Sequence, residues 1–180
     1  MPILRGALLA GAVLVATSSA AYAIDVKTRI EAPGLPDQVW AQIGAFCDIA
    51  KWHPAVTDCS EKKDGDDTVR TLTLGDGGKI VEELGDTDAH SYSYEILESP
   101  LPVKDYEAKL WVEKDDEPDR TVIYWTADFD AADGSTDKEA EKVITGIFKA
   151  GLKGIKENAI KAYDEREGIE YTAPEVHGKE

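Results

Sequence analysis

Glu82 is the first residue in this sequence whose placement suggests chemistry. In the run Ile80-Val81-Glu82-Glu83-Leu84, strand alternation that turns Ile80 and Leu84 inward turns Glu82 inward with them. A carboxylate taken from water needs a partner or a raised pKa. It would serve as a general acid/base or ligand anchor, or as a structural group tied to tyrosine hydroxyls. Both readings stay open at this stage. His53, in Trp52-His53-Pro54, carries the side chain best suited to proton transfer near neutral pH. No serine or cysteine nucleophile pairs with it by spacing, which favours a loop-fixing role. His90 and His177 fall in a turn and in the C-terminal tail.

Other chemistry is missing from the sequence. It contains no GxGxxG, P-loop, HExxH, GxSxG or CxxC motif. Asp64-Gly65-Asp66-Asp67 and Asp115-Asp116-Glu117 resemble calcium loops in charge alone and lack the twelve-residue ligand pattern. No cofactor and no metal are expected. Across 180 residues there are 36 acidic against 20 basic side chains, a formal charge of −16. Such a surface repels nucleic acid phosphates and anionic membranes, and it can steer toward a basic protein partner.

The two cysteines depend on where the chain works. Arg5 is the only charge before Asp25 and is followed by the apolar run Gly6–Ala16 and by Ala21-Tyr22-Ala23. This is the pattern of a secretory leader, residues 1–23, cleaved before Ile24. A retained membrane anchor would need about 20 apolar residues. Loss of Arg5 leaves the mature chain at −17. The expected location is a bacterial periplasm. Thiols oxidise there, so Cys47 and Cys59 are expected to pair, contributing about 3 kcal/mol on chain-entropy grounds.

One domain over residues 24–166, followed by a flexible tail at 167–180, must position these groups. Ile24–Ala32 alternates as a strand, and Pro33-Gly34-Leu35-Pro36 ends it. Asp37 is positioned to cap a short helix through about Gly44, and a second helical piece covers Ala45–Ala50. Turn signals then recur at Asp64-Gly65, Asp76–Gly78, Gly85-Asp86, Ser99–Pro102, Asp115–Pro118 and Asp133-Gly134. The alternating runs between them predict six more strands, seven in all, in an antiparallel meander. Thr136–Glu139 is a capping box that opens a long helix, with its apolar stripe at Ile144, Ile147, Phe148, Gly151, Leu152, Ile155, Ala159 and Tyr163.

This order of elements resembles the START/Bet v 1-like (SRPBCC, polyketide cyclase/dehydrase-like) superfamily. The matching stretches are Val39–Phe46, Ile49–Val56, Leu72–Gly78, Ile80–Leu84, Ser91–Ile96, Ser99–Val103 with Tyr106, and Gly146–Leu152. Among secreted members the chain is most similar to MxaD-type accessory proteins of methanol dehydrogenase systems.

The resemblance implies an α+β helix-grip, in which a curved seven-stranded sheet wraps a long C-terminal helix. It places His53 near a cavity mouth. The implied wall is Trp52, His53, Glu82, Tyr92, Tyr94, Tyr106, Trp125, Phe129 and Phe148, suited to a flat or long apolar ligand. A filled core with paired tyrosine hydroxyls is the competing expectation. Gly151 and Gly154 weaken the helix by about 1 kcal/mol each relative to alanine, so close packing or open space must explain them. The implied function is a periplasmic, non-catalytic accessory or small-molecule-binding protein beside a dehydrogenase–cytochrome c system. The rival is a cyclase-, dehydratase- or hydrolase-like enzyme using Glu82, His53 and Tyr94.

Overall fold

The computed structural model describes residues 23–169. The expected leader and the tail from residue 170 lie outside the described residues.

Strand β1 (Ile24–Pro33) is followed by α1 (Pro36–Ile43), a 3-10 turn (Phe46–Asp48) and α2 (Ile49–Trp52). Six strands come next: β2 (Val56–Asp64), β3 (Asp67–Leu74), β4 (Lys79–Asp88), β5 (Ser91–Glu98), β6 (Val103–Lys114) and β7 (Arg120–Ala131). Helix α3 (Asp137–Glu167) ends the fold. The sheet order is β1-β7-β6-β5-β4-β3-β2, and every neighbouring pair is antiparallel. Consecutive β1 and β2 therefore occupy opposite edges, and α1 and α2 carry the chain between them. Register shifts in β2, β4 and β6 mark bulges, which bend a sheet and raise its twist. The result is the expected helix-grip.

Period-two alternation sets the concave face. Val26 and Ala32 of β1, Tyr106, Ala108, Leu110 and Val112 of β6, and Ile123, Trp125, Ala127 and Phe129 of β7 are all buried. Against them α3 buries Ala140, Ile144, Phe148, Gly151, Leu152, Ile155 and Ala159; of the stripe that its spacing predicts, Ile147 and Tyr163 are only half-buried, and Ala140 extends it by a turn. Thr136 and Glu139 form the predicted capping box, and Gly168 closes the helix in the left-handed region at φ 68°.

Two local expectations are corrected. Leu35, not Asp37, occupies the cap position of α1, because Pro36 has no N–H to satisfy and suits the first helical residue. The Gln38 side chain accepts from the Leu35 N–H at 3.0 Å, while His90 Nε2 meets the Asp37 carboxylate at 2.6 Å. Gly85-Asp86 is no turn: β4 runs on to Asp88, and the glycine sits where the register shifts between Leu84 and Thr87. A glycine inside a strand marks a bulge as readily as a turn.

Cys47 and Cys59 form a disulfide with Cα atoms 5.5 Å apart, as expected. It ties the 3-10 turn to β2 and brackets Trp52-His53-Pro54.

Candidate functional site

The concave face is not completely filled. A cavity of about 210 Å³ lies between the β3–β7 part of the sheet, α2 and α3. Leu72 and Leu74 of β3, Ile80 and Glu82 of β4, and Tyr94 and Ile96 of β5 form one wall. Tyr106, Trp125, Ile144 and Phe148 close the interior, and Ala55, Leu101 and Ile147 form a rim that reaches solvent. The lining is overwhelmingly apolar. Its polar groups are Glu82, the two tyrosine hydroxyls, the indole nitrogen of Trp125 and the imidazole of His53.

Six of the nine residues implied as its wall do line it: His53, Glu82, Tyr94, Tyr106, Trp125 and Phe148. The other three are buried outside it. Tyr92 lies two residues before Tyr94 on the same face, but Trp40 and Phe46 fill the space before it, with ring centroids 5.8 and 5.6 Å away. Phe129 is screened by Tyr106, which stacks on it at 5.7 Å. Trp52 packs edge-on against Trp125 at 5.4 Å, on the α3 side of the loop.

The glycines of α3 account for that last placement. A Cβ on Gly151 would fall 2.6 Å from both His53 and Trp125, and one on Gly154 would fall 1.9 Å from the Trp52 carbonyl oxygen. Close packing of α2 on α3, rather than open space, explains both residues.

Glu82 faces inward and is 4% exposed. Its partner is one that sequence reasoning missed. Arg70 of β3 is fully buried, stands directly opposite Glu82 in the register, and donates Nε to Glu82 Oε2 at 2.5 Å. Its Nη1 donates to the Phe46 carbonyl, and its guanidinium lies 3.9 Å over the Phe46 ring. Nη2 has no protein partner. Burial pushes the Glu82 carboxyl above its ordinary value, and the Arg70 charge pulls back against that push. The signal was present: in Arg70-Thr71-Leu72-Thr73-Leu74, Arg70 shares the inward phase of Leu72.

Trp125 Nε1 donates to Tyr94 Oη at 3.0 Å, and Tyr94 Oη lies 3.5 Å from Tyr106 Oη. Burial raises both phenol pKa values, and the nearby Glu82 charge adds to the rise. Both groups are therefore neutral hydroxyls at physiological pH.

His53 closes the rim. Its Nδ1 accepts from the Ala55 N–H at 3.2 Å, which leaves the proton on Nε2, donated to the Ile147 carbonyl of α3 at 3.0 Å. Burial is the main cause that lowers its pKa, and Arg70 lowers it further. A depressed histidine adds stability that is complete above the unfolded value of 6.5 and is lost as pH falls toward the folded value. The stability advantage of the native protein over His53→Gln is accordingly expected to shrink below about pH 6.5. Paired thermal melts from pH 5 to 8 check this, and a constant difference would refute it.

Among the described residues, no group of three or more His, Cys, Asp or Glu side chains is placed to hold a metal ion. No helix among them is long and apolar enough to cross a membrane.

No curated protein matches the chain in sequence. Solved structures are similar in fold. The protein XoxI from Bacillus cereus is 28% identical with a TM-score of 0.72, over 77% of this chain and 97% of its own. A putative uncharacterized protein from Bacillus thuringiensis is also 28% identical, with a TM-score of 0.71 over 76% and 98%. The ZhuI aromatase/cyclase from a Streptomyces species is 16% identical, with a TM-score of 0.65 over 79% and 96%, a likeness of fold alone. The sequence profile for polyketide cyclase/dehydrase and lipid transport proteins matches residues 23–159. With that match spanning nearly all of the helix-grip described above, the chain belongs to the polyketide cyclase/dehydrase and lipid transport family.

Proposed function

We propose that the protein is a non-catalytic small-molecule-binding protein, exported to the periplasm, that assists a dehydrogenase–cytochrome c system. The cavity carries the binding part: it is apolar, reaches solvent at one rim, and has a few polar groups converging inside. The state of those groups favours binding over catalysis. Both nitrogens of His53 are engaged, Glu82 is held by Arg70, and Tyr94 accepts from Trp125. None is left as a free base beside a nucleophile. The accessory part rests on the resemblance to MxaD-type proteins and on the acidic surface, which favours encounter with a basic partner at low salt.

Native mass spectrometry of protein recovered from its own host tests both parts. The expected spectrum shows a bound small molecule whose mass does not change on incubation. Leu101→Trp, which blocks the rim, should lack it. Low-salt samples should also contain a dehydrogenase or cytochrome that salt removes. Turnover of the molecule would favour the enzyme. Empty native protein would overturn the binding part, and no partner at any salt would overturn the accessory part.

A further inference from the structure

We infer that the cavity takes a single-ring molecule carrying one neutral hydroxyl group, an inference that rests on the binding reading above. Size sets the first limit. A volume of about 210 Å³ exceeds the roughly 150 Å³ that holds benzene, and it falls short of the 300 Å³ or more of pockets for drug-sized ligands. One ring with a short substituent fits. A fused polycycle or an acyl chain of lipid length does not.

A count of hydrogens sets the second limit. The Trp125 indole can only donate, and it donates to Tyr94 Oη. The Tyr94 and Tyr106 hydroxyls meet at 3.5 Å, so only one of their two hydrogens can lie between them. Whichever donates, one hydroxyl hydrogen is left without a protein acceptor, and both tyrosines line the cavity. The same wall presents Glu82, whose acceptor capacity is only partly used by Arg70. The cavity thus offers one donor and one acceptor, set in apolar walls.

A ligand hydroxyl answers both at once, accepting from the tyrosine and donating to Glu82. A carbonyl would leave Glu82 facing an apolar ring, and an ammonium would leave the tyrosine hydrogen unmet. A carboxylate would bring a second negative charge beside Glu82. Arg70 does not line the cavity and is already neutralised by Glu82. The flat face formed by Phe148 stacked on Trp125 at 4.2 Å suits an aromatic ring.

Calorimetric titration at pH 7 with four probes of similar size tests this: toluene, phenol, benzoate and benzylamine. Phenol is expected to bind about tenfold more tightly than toluene, the ratio expected for one satisfied buried polar pair. Benzoate and benzylamine should bind more weakly than phenol. Tyr94→Phe and Tyr106→Phe each keep one free hydroxyl hydrogen and should keep the preference for phenol. Loss of the Tyr94 hydroxyl also frees the Trp125 N–H, so the variant without any free donor is the triple one, Tyr94→Phe, Tyr106→Phe and Trp125→Phe, and it should lose the preference. If the triple variant does not fold, the ranking on the native protein decides alone. Toluene matching phenol, a charged probe winning, or a folded triple variant that keeps the preference would overturn the inference and leave the binding reading standing. Failure of all four probes to bind would overturn both.

Discussion

Glu82→Gln, made without touching Arg70, is expected to cost about 3 kcal/mol or more, the range for removing one partner of a buried ion pair. The reason is the charge left behind. Arg70 is fully buried and cannot shed its proton, so the variant retains a guanidinium without a counter-charge, held by the Phe46 carbonyl, aromatic faces and at most a neutral amide oxygen. The stranded guanidinium has no titration of its own between pH 5 and 8. Arg70→Met should behave differently, because the stranded group can titrate. Burial already raises the Glu82 pKa, and losing Arg70 removes the charge that holds it down. A raised carboxylate contributes stability below its unfolded pKa and loses it as pH climbs through the folded one. Arg70→Met should therefore be costly at pH 7 and regain stability toward pH 5. Combining Arg70→Met with Glu82→Leu strands no charge, and that double variant is expected to lie within about 2 kcal/mol of native, as a well-packed apolar replacement of a buried pair does. Urea denaturation of the three variants at two pH values reads all of this. Additive losses in the double variant would sink the account.

The pair also shows where the sequence was legible. Inward phases could be read wherever one face of a strand is apolar, since alternation leaves no other way to bury that face. Glu82 was found by this rule, between Ile80 and Leu84. Arg70 obeys the same rule through Leu72 and Leu74, yet its residue type reads as solvated. The β3–β4 hairpin held the missing clue. Arg70 and Glu82 each lie six residues from Asp76 in its turn, and the register does pair them, as it pairs Leu72 with Ile80. Two opposite charges, both in the inward phase and equidistant from one turn, signal a buried ion pair.

Depth was not legible. Tyr92 and Tyr94 share a strand and a phase, and only Tyr94 reaches the cavity. What separates them is Trp40 and Phe46, delivered by a part of the chain about fifty residues away. Alternation names a face and says nothing about what sits in front of it. Turn signals failed in a related way at Gly85, where missing side-chain bulk served a bulge. The long helix was easy, because a capping box and a stripe with the helical repeat are both local.

The α2–α3 contact is expected to give the sharpest contrast between two chemically identical substitutions. Gly146 and Gly154 both lie inside α3, and alanine at either should help the helix by about 1 kcal/mol from propensity alone. At Gly146 a Cβ meets nothing within 4 Å, so that gain should appear as added stability. At Gly154 the new carbon would lie 1.9 Å from the Trp52 carbonyl, a backbone oxygen that no rotamer change can move. Either α2 lifts off α3 or the helix bends. Lifting α2 would break the His53 bond to the Ile147 carbonyl and the edge contact of Trp52 on Trp125. Forced overpacking of this kind costs about 1–3 kcal/mol and occasionally more, and a backbone obstacle belongs at the upper end. Net of propensity, Gly154→Ala should be destabilised by about 2 kcal/mol while Gly146→Ala is stabilised by about 1. Because the displaced loop carries His53 and Ala55 of the rim, Gly154→Ala should also weaken binding in the cavity, and Gly146→Ala should not. Chemical denaturation and a phenol titration on the same two proteins decide it. Equal stabilities would mean that α2 does not press on α3 as described.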